Sequence, residues 1–108
     1  MSDYQPLSAQ AFHILVALAG GDQHGYGIMQ DVAARTGGKI QLSAGTLYGA
    51  IQRLLEQGFI VELRGAASER RRVYRLTASG RKAARAEAAR LAELLEQARH
   101  YGLAPERG

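Results

Sequence analysis

The chain has 108 residues, enough for one domain with a modest hydrophobic core. Its hydrophobic content of 46% excludes a disordered class, and the absence of cysteine excludes disulfides and thiolate metal sites. The net charge is +4, no apolar run approaches the length of a membrane span, and no charged-then-apolar leader opens the chain, so we expect a cytoplasmic protein.

Two helices are predicted first. After a short leader over residues 1–7, Ser8 is a good N-cap for a largely apolar helix that ends near Ala19, before Gly20 and Gly21. Its nearly continuous apolar surface predicts burial. A second helix ends at residues 37–38, and its apolar positions are Tyr26, Ile28, Met29, Val32 and Ala33.

A third helix is predicted from the cap residue Ser43 to the closing Gly58. Its apolar stripe consists of Leu47, Ile51, Leu54 and Leu55. The opposite face is small and polar, with one cation and one acid at its far end, and carries Thr46, Tyr48, Gly49, Gln52 and Arg53. Such a face suits insertion into a DNA groove, although an ordinary solvated helix face is the alternative.

A β-hairpin follows. Its first strand covers residues 59–64, with Phe59, Val61 and Leu63 at period two, and its return strand covers residues 70–77, with Tyr74 and Leu76 on one face. Three helices followed by a hairpin predict a winged helix-turn-helix, a mainly α fold with a small β-hairpin. In that geometry the third helix enters the major groove and the hairpin, or wing, lies beside the phosphate backbone.

The positive charge is concentrated around this hairpin. Residues 64–85 hold eight basic side chains and one acidic side chain, whereas the rest of the chain is net acidic. Clustering of this kind indicates a surface for a polyanion, with a solvated arginine-rich surface as the alternative. The basic residues are Arg64, Arg70, Arg71, Arg72, Arg75, Arg81, Lys82 and Arg85.

Thr77 can cap a last helix that starts at Ala78 and ends near Tyr101. About 24 residues would extend roughly 36 Å, too long to pack fully on so small a core. A seam at spacings of four and three residues therefore favours dimerisation over intramolecular packing, and consists of Ala84, Ala88, Leu91, Leu95 and Ala98. We expect a DNA-binding domain over 1–77, a dimerisation helix over 78–102 and a loose tail over 103–108.

Each predicted DNA contact has a chemical reason. The hydroxyls of Ser43 and Thr46 at the helix start can bind a phosphate or serve only as caps. Tyr48 should project outward to a phosphate or sugar, or lie partly buried under the wing. Gln52 can pair with adenine, and Arg53 with guanine or a phosphate.

The glycines and the wing complete the predicted interface. Gly45 and Gly49 leave the surface of the third helix bare for close approach. Two or three of the wing arginines should touch phosphate, with Arg64 facing the others across the hairpin. The predicted DNA-binding residues are Ser43, Gly45, Thr46, Tyr48, Gln52, Arg53, Arg64, Arg70, Arg71 and Arg72.

Catalytic chemistry finds no support in the sequence. His13, His24 and His100 do not fall at metal-ligand spacing, and the chain has no phosphate loop or nucleophile constellation. We therefore expect neither an enzyme nor a bound cofactor or metal.

Four short motifs in order resemble the PadR family of transcriptional regulators. They are residues 7–8 with 12–15, residues 24–28, residues 45–48 with 53–54, and residues 71–77 with Gly80. The resemblance spans about residues 7–95 and is closest to the short subgroup with one C-terminal helix. It implies a homodimeric winged-helix repressor that binds a palindromic double-stranded DNA operator and often responds to a small-molecule effector, in a pocket between subunits that is lined by the first and last helices.

Two other functions fit the same pattern. One is a winged-helix protein-interaction module whose basic strand binds an acidic protein. The other is a winged-helix regulator of a different family, such as a MarR-like protein, with another dimer geometry.

Overall fold

The computed structural model describes residues 6–63 and 72–105. All four predicted helices are present in these residues, and both hairpin strands are present but shorter than predicted. The predicted turn, together with Arg64, Arg70 and Arg71, lies outside the described residues. The elements are α1 (Ala9–Ala19), β1 (Gln23–His24), α2 (Gly25–Arg35), α3 (Ala44–Glu56), β2 (Ile60–Leu63), β3 (Val73–Leu76) and α4 (Ala78–His100).

Three of the helices begin at a hydroxyl cap, as predicted. The side chains of Ser8, Ser43 and Thr77 each accept a hydrogen bond from the backbone N–H three residues further on, at 2.9–3.2 Å. Each bond satisfies a donor that the first turn of a helix would leave free. The fourth helix, α2, follows His24, whose side chain makes no such bond.

The hairpin is part of a three-stranded antiparallel sheet in the order β1-β3-β2. The two-residue strand β1 pairs Gln23 with Tyr74 and His24 with Val73. The sequence did not predict β1, because two residues cannot show a period. This strand connects the wing to the turn between α1 and α2.

The register of β2 corrects one sequence expectation. Ile60 lies opposite Leu76, and Glu62 lies opposite Tyr74. Directly paired residues share a face of an antiparallel sheet, and so do residues two apart in one strand. Ile60 therefore lies on the same face as its partner Leu76 and the buried Tyr74, and it is itself buried in the core. The apolar face expected from Phe59, Val61 and Leu63 is therefore wrong at Val61, which is 41% exposed, whereas Phe59 packs against the core.

The core lies among α1, α2, α3 and the sheet. Within α2, Gly25, Ile28 and Val32 face inward, whereas Tyr26 is 60% exposed and does not belong to the apolar stripe assigned to it. Its position, one residue after Gly25, is rotated away from the buried face. The buried hydrophobic residues are Ile14, Leu15, Ala17, Leu18, Ile28, Val32, Leu42, Leu47, Ala50, Ile51, Leu54, Ile60 and Tyr74.

A close contact joins α4 to the end of α3. The Thr77 hydroxyl donates to the Gly58 carbonyl at 2.7 Å, and the Thr77 N–H donates to the Phe59 carbonyl at 3.1 Å. A Cβ atom on Gly80 would stand 1.9 Å from that same Phe59 oxygen. The glycine therefore allows the first turn of α4 to lie directly on the chain between α3 and β2.

A buried carboxylate on α4 was not predicted. Glu87 is 3% exposed and accepts hydrogen bonds from the Leu7 N–H at 3.3 Å and from Arg90 Nε at 3.2 Å. Arg90 also forms an ion pair with Glu87. These bonds compensate the buried charge and attach the segment before α1 to α4.

Among the described residues, no helix combines the length and the apolar composition that a membrane span requires.

Candidate nucleic-acid interface

The outer face of α3 presents the predicted contact residues together. Thr46, Tyr48, Gln52 and Arg53 are all exposed, and a Cβ atom on Gly45 would meet nothing within 4 Å. The opposite face is fully used by the core, since Leu47, Ala50, Ile51 and Leu54 are buried. The apolar stripe thus fixes which side of α3 is offered to a partner.

Ser43 and Thr46 form a hydrogen-bonded pair at the entry of α3. The Ser43 hydroxyl accepts from the Thr46 N–H at 3.2 Å and donates to the Thr46 hydroxyl at 3.0 Å. The capping role of Ser43 is therefore confirmed. Both residues remain exposed, so their oxygens are also accessible to a phosphate.

Tyr48 is 49% exposed and lies against the first residue of α2. It does project from the helix as expected, but it does so toward α2. The pKa of the Tyr74 phenol in the sheet is raised by burial first, then by Glu62 and Tyr48. The turn of the wing, the alternative cover for Tyr48, lies outside the described part of the chain.

Gln52 and Arg53 differ in their surroundings. The Gln52 amide donates to Glu56 at 3.4 Å, a long bond on the solvent side of the helix that is easily exchanged for another partner. Arg53 lies on the flank of α3 at the rim of a cavity of about 420 Å³. Within residues 6–63 and 72–105, its guanidinium has no ion-pair partner, so it carries an uncompensated positive charge beside the exposed face of α3.

The two described arginines of the return strand also differ. Arg72 is exposed and stands 3.9 Å from Glu62, a loose pair that leaves its charge available. Arg75 instead forms a bidentate pair with Asp22 at 2.8 and 3.1 Å, and this arginine holds the pKa of Asp22 below its ordinary value. Arg75 therefore ties β3 to the turn between α1 and α2 and is not one of the free cations.

One exposed aromatic residue near this surface was not included in the predicted set. Tyr26 follows Gly25, the residue that Tyr48 contacts, and its side chain is 60% exposed. The sequence signal was its place at the entry of a helix, where outward positions meet solvent, but its apolar ring was taken as part of the core stripe.

The far half of α4 exposes a row of leucines. Leu91, Leu94 and Leu95 are 38%, 53% and 42% exposed in the single chain. Leu91 and Leu95 belong to the predicted seam, in which Ala84 and Ala98 are partly buried and Ala88 is exposed. Leu94 extends this apolar face, and the seam missed it because its spacing passed over that position.

No group of three or more side chains suited to a metal ion occurs in the described residues. What the fold presents is a bare, polar third helix beside an arginine-containing wing. This arrangement is that of a winged-helix transcriptional regulator. The transcriptional regulator PadR-like family model matches residues 14–86, more than half of the chain, and the chain belongs to that family.

Solved structures agree with this assignment. A transcriptional regulator from Clostridium thermocellum is 27% identical, with a TM-score of 0.77 over 84% of this chain and 90% of that one. A PadR family transcription regulator from Clostridium difficile R20291 is 20% identical, with a TM-score of 0.75 over 87% of this chain and 98% of that one.

A more distant likeness involves a protein solved with DNA. A mutant of Lactococcus lactis ZitR, in complex with DNA, is 22% identical, with a TM-score of 0.65 over 94% of this chain and 65% of that one. At this identity the likeness shows the fold alone. No curated protein matches the chain by sequence.

Proposed function

We propose that this regulator is a sequence-specific repressor that binds a palindromic operator as a homodimer and is released by a small-molecule effector. The observation that carries the proposal is the exposed face of α3, where Thr46, Tyr48 and Gln52 stand on a helix whose other side packs into the core. Polar side chains on a firmly packed helix suit contact with base edges and with phosphates.

Charge near α3 supports DNA as the partner. Arg53 is exposed and has no ion-pair partner among the described residues, and Arg72 is exposed with only the loose 3.9 Å pair to Glu62, so both can meet phosphates without first breaking a strong ion pair. Arg64, Arg70 and Arg71 remain predicted phosphate contacts, on the grounds of the sequence alone. Tyr26 joins this proposal as a further phosphate contact, because it is exposed and adjoins the Gly25–Tyr48 contact.

The dimer is proposed from α4. Little more than one turn of this helix exposes Leu91, Leu94 and Leu95 to water in the single chain, and burying them against a second copy is favourable. A two-fold axis through this face would present two copies of α3 to one side of a duplex. Two major-groove contacts about one helical turn apart, roughly 34 Å, would explain specific binding by so small a chain.

The effector is proposed from the space beside α3. The cavity of about 420 Å³ lies between the segment before α1, α3 and α4, and falls within the size range of small-molecule sites. It contacts both the helix proposed to read DNA and the helix proposed to dimerise. A ligand bound in this cavity could change the position of α3 relative to α4.

DNA binding is tested with the segment upstream of the protein's own gene. We expect a footprint with two-fold symmetry, an affinity that falls as salt rises, and repression of a reporter placed behind that segment. Absence of binding at low salt would contradict the proposal. Tight capture of an acidic protein, with no DNA protected, would favour the interaction-module function instead.

Gln52 and Arg72 are expected to affect binding in different ways. Gln52→Ala should cost about 1–3 kcal/mol on the preferred operator and relax base choice at some positions, since amide side chains pair with adenine. Arg72→Ala should weaken all sequences alike and reduce the salt slope. Binding to a randomised operator library across a salt series measures both, and an unchanged preferred sequence in Gln52→Ala would exclude Gln52 as a reader.

Replacing Gly49 by alanine should raise the stability of the fold and lower the affinity for DNA. A Cβ atom there meets only the Arg53 guanidinium, at 3.8 Å, so Gly49→Ala fits the fold and should stabilise it by about 0.5–1 kcal/mol. If the bare helix surface approaches DNA closely, the added methyl group should lower operator affinity about tenfold. The same substitution at Gly45, where space is open, should act in the same direction.

Thermal unfolding and operator titration measure the two effects separately. Ala89→Gly on the exposed surface of α4 is the control, because it should lower stability without changing operator affinity. Unchanged DNA affinity in both glycine variants would show that the bare surface has no part in binding.

A further inference from the structure

The position of Tyr48 depends on a glycine in another helix. A Cβ atom on Gly25 would stand 2.4 Å from the Tyr48 hydroxyl oxygen and 2.8 Å from the ring carbon that bears it. Both distances are far below van der Waals contact, so any larger residue at position 25 must displace the tyrosine. Gly25 itself is buried.

The same tyrosine lies near the sheet. Tyr74 is 2% exposed, and Glu62 is its direct partner across β2 and β3. The pKa of the Tyr74 phenol is raised by burial, then by Glu62 and then by Tyr48. Tyr48 therefore stands where α2, α3 and the sheet converge, with about half of its surface still open to a partner.

We propose that Gly25 is a positioning residue for DNA binding, which holds the Tyr48 hydroxyl where it donates a hydrogen bond to an operator phosphate. The inference rests on the proposed function, since the phosphate belongs to operator DNA. Gly25 itself touches no DNA. It acts by leaving the space that the ring of Tyr48 occupies, so that the ring is already in place before DNA arrives.

Placement before binding matters because a free tyrosine side chain loses rotamer freedom when it docks. Because the hydroxyl end of the ring already lies against Gly25, the rotamer freedom of Tyr48 is lost when the protein folds and not when DNA binds. A hydrogen bond to a charged group also depends strongly on distance and angle. Moving the ring by the amount that a Cβ atom requires would take the hydroxyl out of reach of the phosphate.

The test is a double-mutant cycle in operator affinity. Tyr48→Phe should weaken binding by about tenfold to a hundredfold, the loss of one hydrogen bond to a charged group, and Gly25→Ala should weaken it similarly. In a Tyr48→Ala background, Gly25→Ala should have no further effect, because the side chain it would strike is gone. Gly20→Ala is the matched control, since its Cβ atom would meet only ordinary contacts, at 3.5 Å or more.

Phosphate-ethylation interference distinguishes an effect of Gly25 on the position of Tyr48 from an effect on protein stability alone. In the wild-type protein, ethylation of one operator phosphate should weaken binding. In Tyr48→Phe and in Gly25→Ala, ethylation of that same phosphate should no longer change the affinity. A glycine with only a structural role would lower the unfolding temperature and leave the interference pattern intact.

Each result decides the matter. Equal losses from Gly25→Ala in the Tyr48 and Tyr48→Ala backgrounds would overturn the proposal, and so would wild-type affinity in Tyr48→Phe. If Gly25→Ala alone does not fold, recovery of folding in Gly25→Ala/Tyr48→Ala supports the contact, and Tyr48→Phe still reports the phosphate. Failure of the wild-type chain to bind any upstream DNA would instead refute the proposed function.

Discussion

Leu95→Arg is expected to convert the proposed homodimer into monomers and to lower operator affinity by about a hundredfold or more. Leu95 is 42% exposed in the single chain and lies beside Leu91 and Leu94 on one face of α4. In a dimer seam the arginine would bring two like charges together in an apolar interface, where desolvation is costly. Without the dimer, each half-site must be bound alone, and the gain from linked binding is lost.

Sedimentation and operator titration measure this effect together. Ala89→Arg adds the same charge to an exposed position of α4 away from the leucines and should leave both the mass and the affinity unchanged. A Leu95→Arg protein that remains dimeric would place the subunit contact elsewhere. Loss of the dimer with full operator affinity would show that a single copy suffices for recognition.

Gly80→Ala is expected to destabilise the fold by about 3 kcal/mol or more. The new Cβ atom would stand 1.9 Å from the Phe59 carbonyl oxygen and 2.9 Å from a Leu76 methyl carbon. Backbone on both sides of this contact is held by the hydrogen bonds of Thr77, so the overlap cannot be relieved by turning a side chain. Overpacking of this kind costs about 1–3 kcal/mol in ordinary cores and more where backbone must move.

Chemical denaturation of Gly80→Ala beside Gly20→Ala isolates the steric effect. Gly20 ends α1 with a φ of −81°, a conformation open to alanine, and its nearest contacts are ordinary. Its substitution should change stability by only a few tenths of a kcal/mol. Similar stability for the two variants would show that α4 can lift from Phe59 at little cost.

Periodic features were predictable from the sequence. The apolar stripe of α3, the three hydroxyl caps and the length of α4 follow from local rules that few tertiary contacts override. The polar face of α3 was predictable for the same reason, since it is what remains when the stripe is buried. The candidate contacts on that face were therefore identified without knowledge of the fold.

Features set by pairing between distant residues were not predictable. The inward side of β2 depends on its register with Tyr74, and β1 exists only because β3 is beside it. Glu87 is buried and accepts a hydrogen bond from Leu7, eighty positions away in the chain. Arg75 was counted with the basic cluster, but its partner Asp22 is fifty-three positions away. Charge counts along a sequence do not reveal such compensation.

The contact of Gly80 with Phe59 holds the first turn of α4 at the end of α3, so this contact is the pivot about which α4 would tilt. The helix has 23 residues, so at the standard rise its far end lies roughly 34 Å from the pivot. A tilt of about 5° at Thr77 would move that end by roughly 3 Å, close to the rise of one base pair. In the proposed dimer, small side-chain changes around this pivot would therefore change the separation of the two copies of α3, while the residues proposed to contact DNA stay the same.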